Sequence, residues 1–285
     1  MNSLKLLSSF ILVTLLGPSF EVSSQDKPRV RIPPANQLPL NNPTSFHRRA
    51  VDSTEAPWKA VGRVNIAGRA HCSGSLIAED IVLTAAHCLY AKWSQEMVIP
   101  TTVHFLAGYA RGEYAAHTLV QSYVVSPSFD GSAGAARRNL PNDWALLKLA
   151  DPIGKEHGFL ELHDKMKLSS EEQDVAAISK ALEKIELSTS KITTAGYPGD
   201  RSHLLSLEEN CKITGSLARG HVMLTNCISI RGDSGGPVLQ FIDNEWVIIG
   251  IQVASTKLGN RNASIGVSAL AFRREFYKLL NATKN

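Results

Sequence analysis

The chain has 285 residues, of which 44% are hydrophobic and 20% charged, with a formal net charge of +4. That apolar content excludes a wholly disordered chain and allows a sizeable core, and all-β barrels of such length often form a single unit. The lysines and arginines are scattered along the sequence, so nothing in the charge pattern asks for a nucleic-acid partner.

The first segment, residues 1–24, carries Lys5, an apolar run from Leu6 to Leu16, and small or aliphatic residues at Val22 and Ser24 before a plausible cut. This is the layout of a secretory signal, and the run is too short to span a bilayer comfortably. A secreted or periplasmic protein is expected, with no membrane role once the signal is removed. Export makes the four cysteines candidates for two disulfides. Residues 25–49, rich in proline and asparagine, read as an irregular leader or propeptide.

From residue 50 to the C-terminus the pattern changes to short apolar runs bounded by turn residues. "AVGRVNIAG", "GSLIAEDIVLTAAHC", "TVHFLAGY", "LVQSYVVSP" and "WALLKLADPIG" read as strands of one half, about 50–155. "KITTAGYPG", "HVMLTNC", "GPVLQF", "WVIIGIQVA" and "ASIGVSAL" read as strands of a second half, about 190–285. Many closely spaced short strands predict an all-β sandwich or barrel. Between the halves, Ser169 to Leu187 has helical spacing behind a serine cap, and "AFRREFYKLLN" predicts an amphipathic terminal helix.

The segment "CISIRGDSGGPVLQ" contains "GDSGGP", Gly232 to Pro237, which sets a serine among glycines. A serine hydroxyl becomes a good nucleophile only when a base takes its proton and backbone donors hold the oxyanion. Glycine lets the backbone adopt the conformations such a turn needs. The N–H groups of Gly232 and Ser234 are the expected donors. The same residues satisfy G-x-S-x-G, but that pattern needs a histidine after the serine, and none follows Ser234. The opposite order fits. "LTAAHC" places His87 after an apolar run beside Cys88, whose expected partner is Cys72 in "HCSGS", and "LPNDWALLKL" places Asp143 at the head of another. A carboxylate there needs a strong partner, and an imidazole N–H is one.

"TAAHC", "NDWALLKL" and "GDSGGP", in that order, resemble the trypsin/chymotrypsin-like serine protease family, from about Trp58 to the C-terminus. The resemblance implies two six-stranded antiparallel β-barrels with a C-terminal helix and a site in the cleft between the barrels. It implies peptide-bond hydrolysis through an acyl-enzyme, with His87 as base, Asp143 as orienter and Ser234 as nucleophile, and with no metal or other cofactor. Protein or peptide substrates and a monomeric enzyme are expected.

The substrate pocket departs from the trypsin-like pattern. The aspartate that selects Lys or Arg, six residues before the serine, is replaced by Ile228, and the bordering strand reads Val253, Ala254, Ser255. The look is nearer the secreted bacterial, glutamyl-endopeptidase-like branch, although Gln252 stands where that branch uses a histidine; Ser229 and Arg231 remain as polar groups for an acidic side chain. A second disulfide, Cys211 to Cys227, would brace the pocket entrance. Zymogen control is a further implication. Cleavage at Arg48-Arg49 before Ala50 would free an ammonium for Asp233, yet the Ile-Val-Gly-Gly start is missing, and the other reading is an Asp233 bonded locally.

Other features take structural readings. "RGD" at Arg231–Asp233 lies inside the serine turn, His157 and His163 fit no standard metal spacing, and Asn262 and Asn281 head glycosylation sequons. Two rival functions share the motifs. One is an inactive protease homologue that binds partners through the same cleft; the other is an esterase on the same fold.

Overall fold

The computed structural model describes residues 47–163, 191–258 and 261–282. The signal segment, most of the leader and the helical segment from Ser169 to Leu187 lie outside the described residues.

Strand β1 (Arg49–Ala50) is followed by β2 (Val61–Ile66), β3 (Ala70–Leu76) and β4 (Ile81–Thr84). A small pair, β5 (Tyr90–Ala91) and β6 (Glu96–Met97), precedes β7 (Val103–Ala107), β8 (Ala116–Val125) and β9 (Ala145–Leu149). Strands β2, β3, β4, β9, β8 and β7 close into a six-stranded barrel in that order. Closure leaves no exposed edge. Apolar side chains such as Val64, Leu83, Phe105, Val120 and Leu146, all fully buried, fill the core of this half. The run "IVLT" in β4 is buried at every position, so it shows no alternation; both its faces are covered.

The second half contains β10 (Glu161–Leu162), β11 (Ile192–Gly196), β12 (Ser206–Cys211), β13 (Ile213–Leu217), β14 (Val222–Thr225), β15 (Pro237–Ile242), β16 (Glu245–Leu258) and β17 (Arg261–Ser268). They form a nine-stranded sheet along the path β1-β12-β11-β15-β16-β17-β14-β13, with β10 added beside β16. A register shift between Gln252 and Ala254 bends the long β16, as an extra residue in one strand does. The main apolar core draws on both halves, from Val64 and Leu146 to Tyr197, Leu239 and Phe272. The chain is all-β, with the expected amphipathic helix at Arg273–Ala282 near its end.

The strand reading of the sequence is corrected in two places. "GSLIAEDIVLTAAHC" is not one strand: β3 and β4 turn at residues 77–80, and His87 sits on a 3-10 turn, Ala86–Leu89. Strand β12 was not expected, because "SLEENC" is acidic and weak in β propensity. The end of the expected leader also takes part in the sheet. Arg49 pairs with Leu207 and Ala50 with Ser206, so the end of the expected leader is a strand of the second sheet.

Candidate active site

His87 and Asp143 come from two different connections of the first barrel. Backbone bonds from Cys88 N to Ala85 O and from Asp143 N to Leu140 O tighten the two turns that present them. Trp144, the next residue, is buried and lies 6.2 Å from the Phe272 ring, so the entry to the C-terminal helix braces the Asp143 turn. His87 Nδ1–H donates to Asp143 Oδ2 at 2.7 Å, and the His87 backbone N–H donates to Oδ1 at 2.8 Å. Both carboxylate oxygens are thus committed to one residue. That arrangement fixes the tautomer whose free Nε2 lone pair can accept a proton. Asp143 is nearly buried, whereas the His87 side chain is 34% exposed and so reachable by a ligand.

Ser234 reaches the same place from the second sheet. The Cys72–Cys88 disulfide is formed, and the Cys88 sulfur lies 3.9 Å from His87 Nε2 and 3.9 Å from the Ser234 carbonyl oxygen. That carbonyl accepts the Ser73 N–H at 2.9 Å, and the Ser73 hydroxyl donates to Gly232 O at 2.9 Å. Gly235 has φ +79°, and a Cβ there would lie 2.1 Å from Thr84 Oγ1 and 2.4 Å from Ser73 O. Only glycine lets the serine turn press against the strand that leads to His87. Gly232, at φ +100°, is equally constrained by Tyr197 O, 2.4 Å from the position of a Cβ.

Among the described residues, the backbone N–H groups of Gly232 and Ser234 donate to no protein acceptor. Their neighbours do: Asp233 N–H donates to Ile230 O at 3.1 Å, Gly235 N–H to Gln252 O at 2.7 Å and Gly236 N–H to Asp233 O at 2.8 Å. Two free donors flanking an otherwise satisfied turn are what an oxyanion requires.

The trypsin family profile matches residues 47–272. The chain belongs to the trypsin family. A trypsin-like protease of Streptomyces glaucescens is 30% identical over 192 residues, which make up 63% of this chain and 63% of that protein. Serine protease 56 of Homo sapiens is 35% identical over 115 residues, 39% of this chain and 17% of its own length. The chain therefore spans less than two thirds of these curated relatives. A solved structure of a Glu endopeptidase in complex with MPD matches with a TM-score of 0.61 at 19% identity, over 81% of this chain and 95% of that one, a likeness of fold.

Trypsin-family sequence patterns suggested an ammonium beside Asp233; the structure has a guanidinium there. Arg48 Nη1 and Nη2 each donate to one Asp233 oxygen at 2.9 Å. Nη2 also donates to Ile228 O, and Nε donates to Glu208 at 3.2 Å. Burial pushes the Asp233 carboxyl up, and Arg48 together with the Ile230 N–H works against that rise. Arg48 remains firmly charged: burial opposes its charge, and Asp233 and Glu208 more than compensate. Neither sequence alternative named this partner. The signal was present in the sequence as two glutamates, Glu208 and Glu209, facing Arg48 and Arg49; Arg49 donates to Glu209 at 2.8 and 2.9 Å.

The expected pocket residues divide. Ser229 is buried and Ile228 half-buried behind the serine turn, Arg231 is exposed, and Val253, Ala254 and Ser255 grade from buried to exposed along β16. Gln252 is buried and its side-chain nitrogen donates to Ala195 O at 3.4 Å, while its amide oxygen has no partner among the described residues. Cys211 and Cys227 are bonded to each other across the β13–β14 hairpin. The one cluster of metal-type ligand atoms among the described residues is Cys72, His87 and Cys88. Both of its sulfurs belong to the disulfide and offer no thiolate. Sequence reasoning also passed over Ser73, which holds the carbonyls on both sides of Asp233; a serine in a strand carries no signal of that role.

Proposed function

We propose that this chain is an exported serine endopeptidase that works through an acyl-enzyme. The observation that carries the reading is the doubly bonded His87–Asp143 pair, with its free Nε2 at the sulfur that also touches the Ser234 turn. In this reading His87 Nε2 takes the Ser234 hydroxyl proton as the oxygen attacks the scissile carbonyl. The N–H groups of Gly232 and Ser234 hold the resulting oxyanion. His87 then gives the proton to the leaving amine, and a water activated by the same nitrogen releases the acid. Asp143 keeps the imidazole oriented throughout.

The pocket supports a non-basic side chain at the cleaved residue. Ile228 offers no carboxylate to pair with Lys or Arg, whereas the exposed Arg231 is available to a neutral or acidic group. The leading segment and two disulfides support export. A serine-directed fluorophosphonate should label the wild type and not Ser234→Ala, and a peptide library should then read out the cleaved residue. A Ser234→Ala variant labelled as fast as wild type would end the enzyme reading and favour a binding homologue. Turnover of esters without peptides would favour the esterase.

A further inference from the structure

The Arg48 guanidinium sits where the second sheet, the pocket wall and the serine turn meet. Its side chain is 1% exposed and that of Asp233 is 0% exposed. The bidentate bond fixes the planes of both groups, a geometry that a point charge cannot reproduce. The third contact, to Ile228 O, ties the residue at the pocket floor to the same group. Glu208 accepts from the guanidinium Nε, His47 shares that carboxylate, and Arg201 Nη1 donates to Arg48 O at 2.9 Å. The backbone beside Arg48 is locked as well, since Arg49 and Ala50 pair with β12. Asp233 thus already has its counter-ion in the uncut chain, brought by a residue that precedes the expected Arg48-Arg49 cleavage.

We infer that Arg48 is a built-in positioning residue for the oxyanion turn, so that the chain is competent with its Arg48–Arg49 and Arg49–Ala50 bonds intact. This rests on the reading of Ser234 as nucleophile. The physical argument concerns Asp233. A carboxylate removed from water needs a charged partner with good geometry, and without one it takes up a proton or turns outward. Asp233 lies between the two residues whose N–H groups face the oxyanion, so either response would move them. A cut after Arg48 or after Arg49 separates the guanidinium from the body of the enzyme. It would place a new ammonium on backbone that is engaged with β12, where Asp233 has been served by a side chain reaching in from Arg48. Cleavage at the dibasic pair is therefore inactivating, and any processing that leaves an active enzyme lies before His47. This replaces the activation at Ala50 suggested by the sequence.

The test uses the full chain as exported, with the integrity of both bonds checked by intact mass, and reads the second-order rate of fluorophosphonate labelling and peptide kcat/KM. The intact wild type should react. Arg48→Ala should lose about 10²-fold, the scale of one oxyanion-hole donor, with millimolar methylguanidinium restoring much of the rate and methylammonium restoring little. Arg48→Lys should recover only part, because it lacks the planar fork. Arg49→Ala, whose partner Glu209 is on the surface, should match wild type. An intact chain that is silent but reacts after cleavage at Arg48 or Arg49 overturns the inference and leaves the triad standing. So does full reactivity of Arg48→Ala, or a loss in Arg48→Ala that methylguanidinium does not restore. Silence of every form removes the nucleophile reading and the inference together.

Discussion

The Ser73 hydroxyl donates to the carbonyl oxygen of Gly232 at 2.9 Å, joining residues 159 apart in sequence. The Ser73 hydroxyl oxygen in turn accepts the Tyr197 N–H at 2.8 Å. Ser73→Ala would leave a buried acceptor and a buried donor unpaired, at a cost of about 1–3 kcal/mol for each group. It is expected to lower the urea midpoint by a corresponding amount and to reduce kcat more than it raises KM, because the oxyanion turn is no longer clamped. Equal stability of the two proteins would show that water replaces the hydroxyl.

Asp143→Asn keeps the shape of the side chain but presents an N–H₂ group where His87 Nδ1–H now donates. The imidazole proton then moves to Nε2, the atom that accepts from Ser234 in the proposed mechanism. A loss of about 10⁴-fold in kcat is expected by analogy with the worked triad, with little change in melting temperature. Retention of more than a tenth of the activity would mean that Asp143 does not set the tautomer.

Two glycines with positive φ separate strain from collision. At Gly68, φ is +66° and a Cβ would meet nothing within 4 Å; at Gly235, φ is +79° and a Cβ would overlap Thr84 and Ser73. Gly68→Ala is expected to cost about 1 kcal/mol, the penalty for the backbone conformation alone. Gly235→Ala should cost several times more and abolish labelling. Similar melting curves for the two variants would contradict this account.

His71 predicts a pH dependence. Its Nε2–H donates to Tyr197 O at 2.9 Å. Burial pushes its pKa down, the bond to Tyr197 O opposes that, and Arg63, Arg231 and His203 add to the lowering. The folded protein therefore binds the additional ring proton of the imidazolium less tightly than the unfolded chain does. The stability that His71 provides is complete above about pH 6.5 and is lost as pH falls below that value through the folded pKa. Denaturant midpoints between pH 7 and 5 should fall more steeply for wild type than for His71→Gln. Parallel slopes would assign the acid sensitivity to His117 and His221, which are lowered by burial as well.

The Cys72–Cys88 bridge closes a loop with a sequence separation of 16. Replacing both cysteines by serine is expected to cost about 3 kcal/mol under the chain-entropy account. Activity should also fall at temperatures where the variant stays folded, since the bridge sits against both His87 and the Ser234 turn. Unchanged kcat in the folded variant would make the bridge a staple with no part in positioning.

The sequence by itself determined the family and the class of fold. Apolar runs between turn residues give strands because a half-buried strand needs only a local pattern, and the motifs around His87, Asp143 and Ser234 are local as well. Glycines at 232 and 235 could be read as turn residues before any contact was known. Only the tertiary structure decided what Asp233 faces and that the acidic segment Ser206–Cys211 is a strand, paired with Arg49 and Ala50. Those outcomes depend on Arg48 meeting a carboxylate 185 residues away and on Glu208 and Glu209 being paired by Arg48, just before β1, and Arg49, at its start. A buried ion pair leaves no periodicity in either of its segments. Its two halves look like ordinary surface charges until folding brings them out of water together.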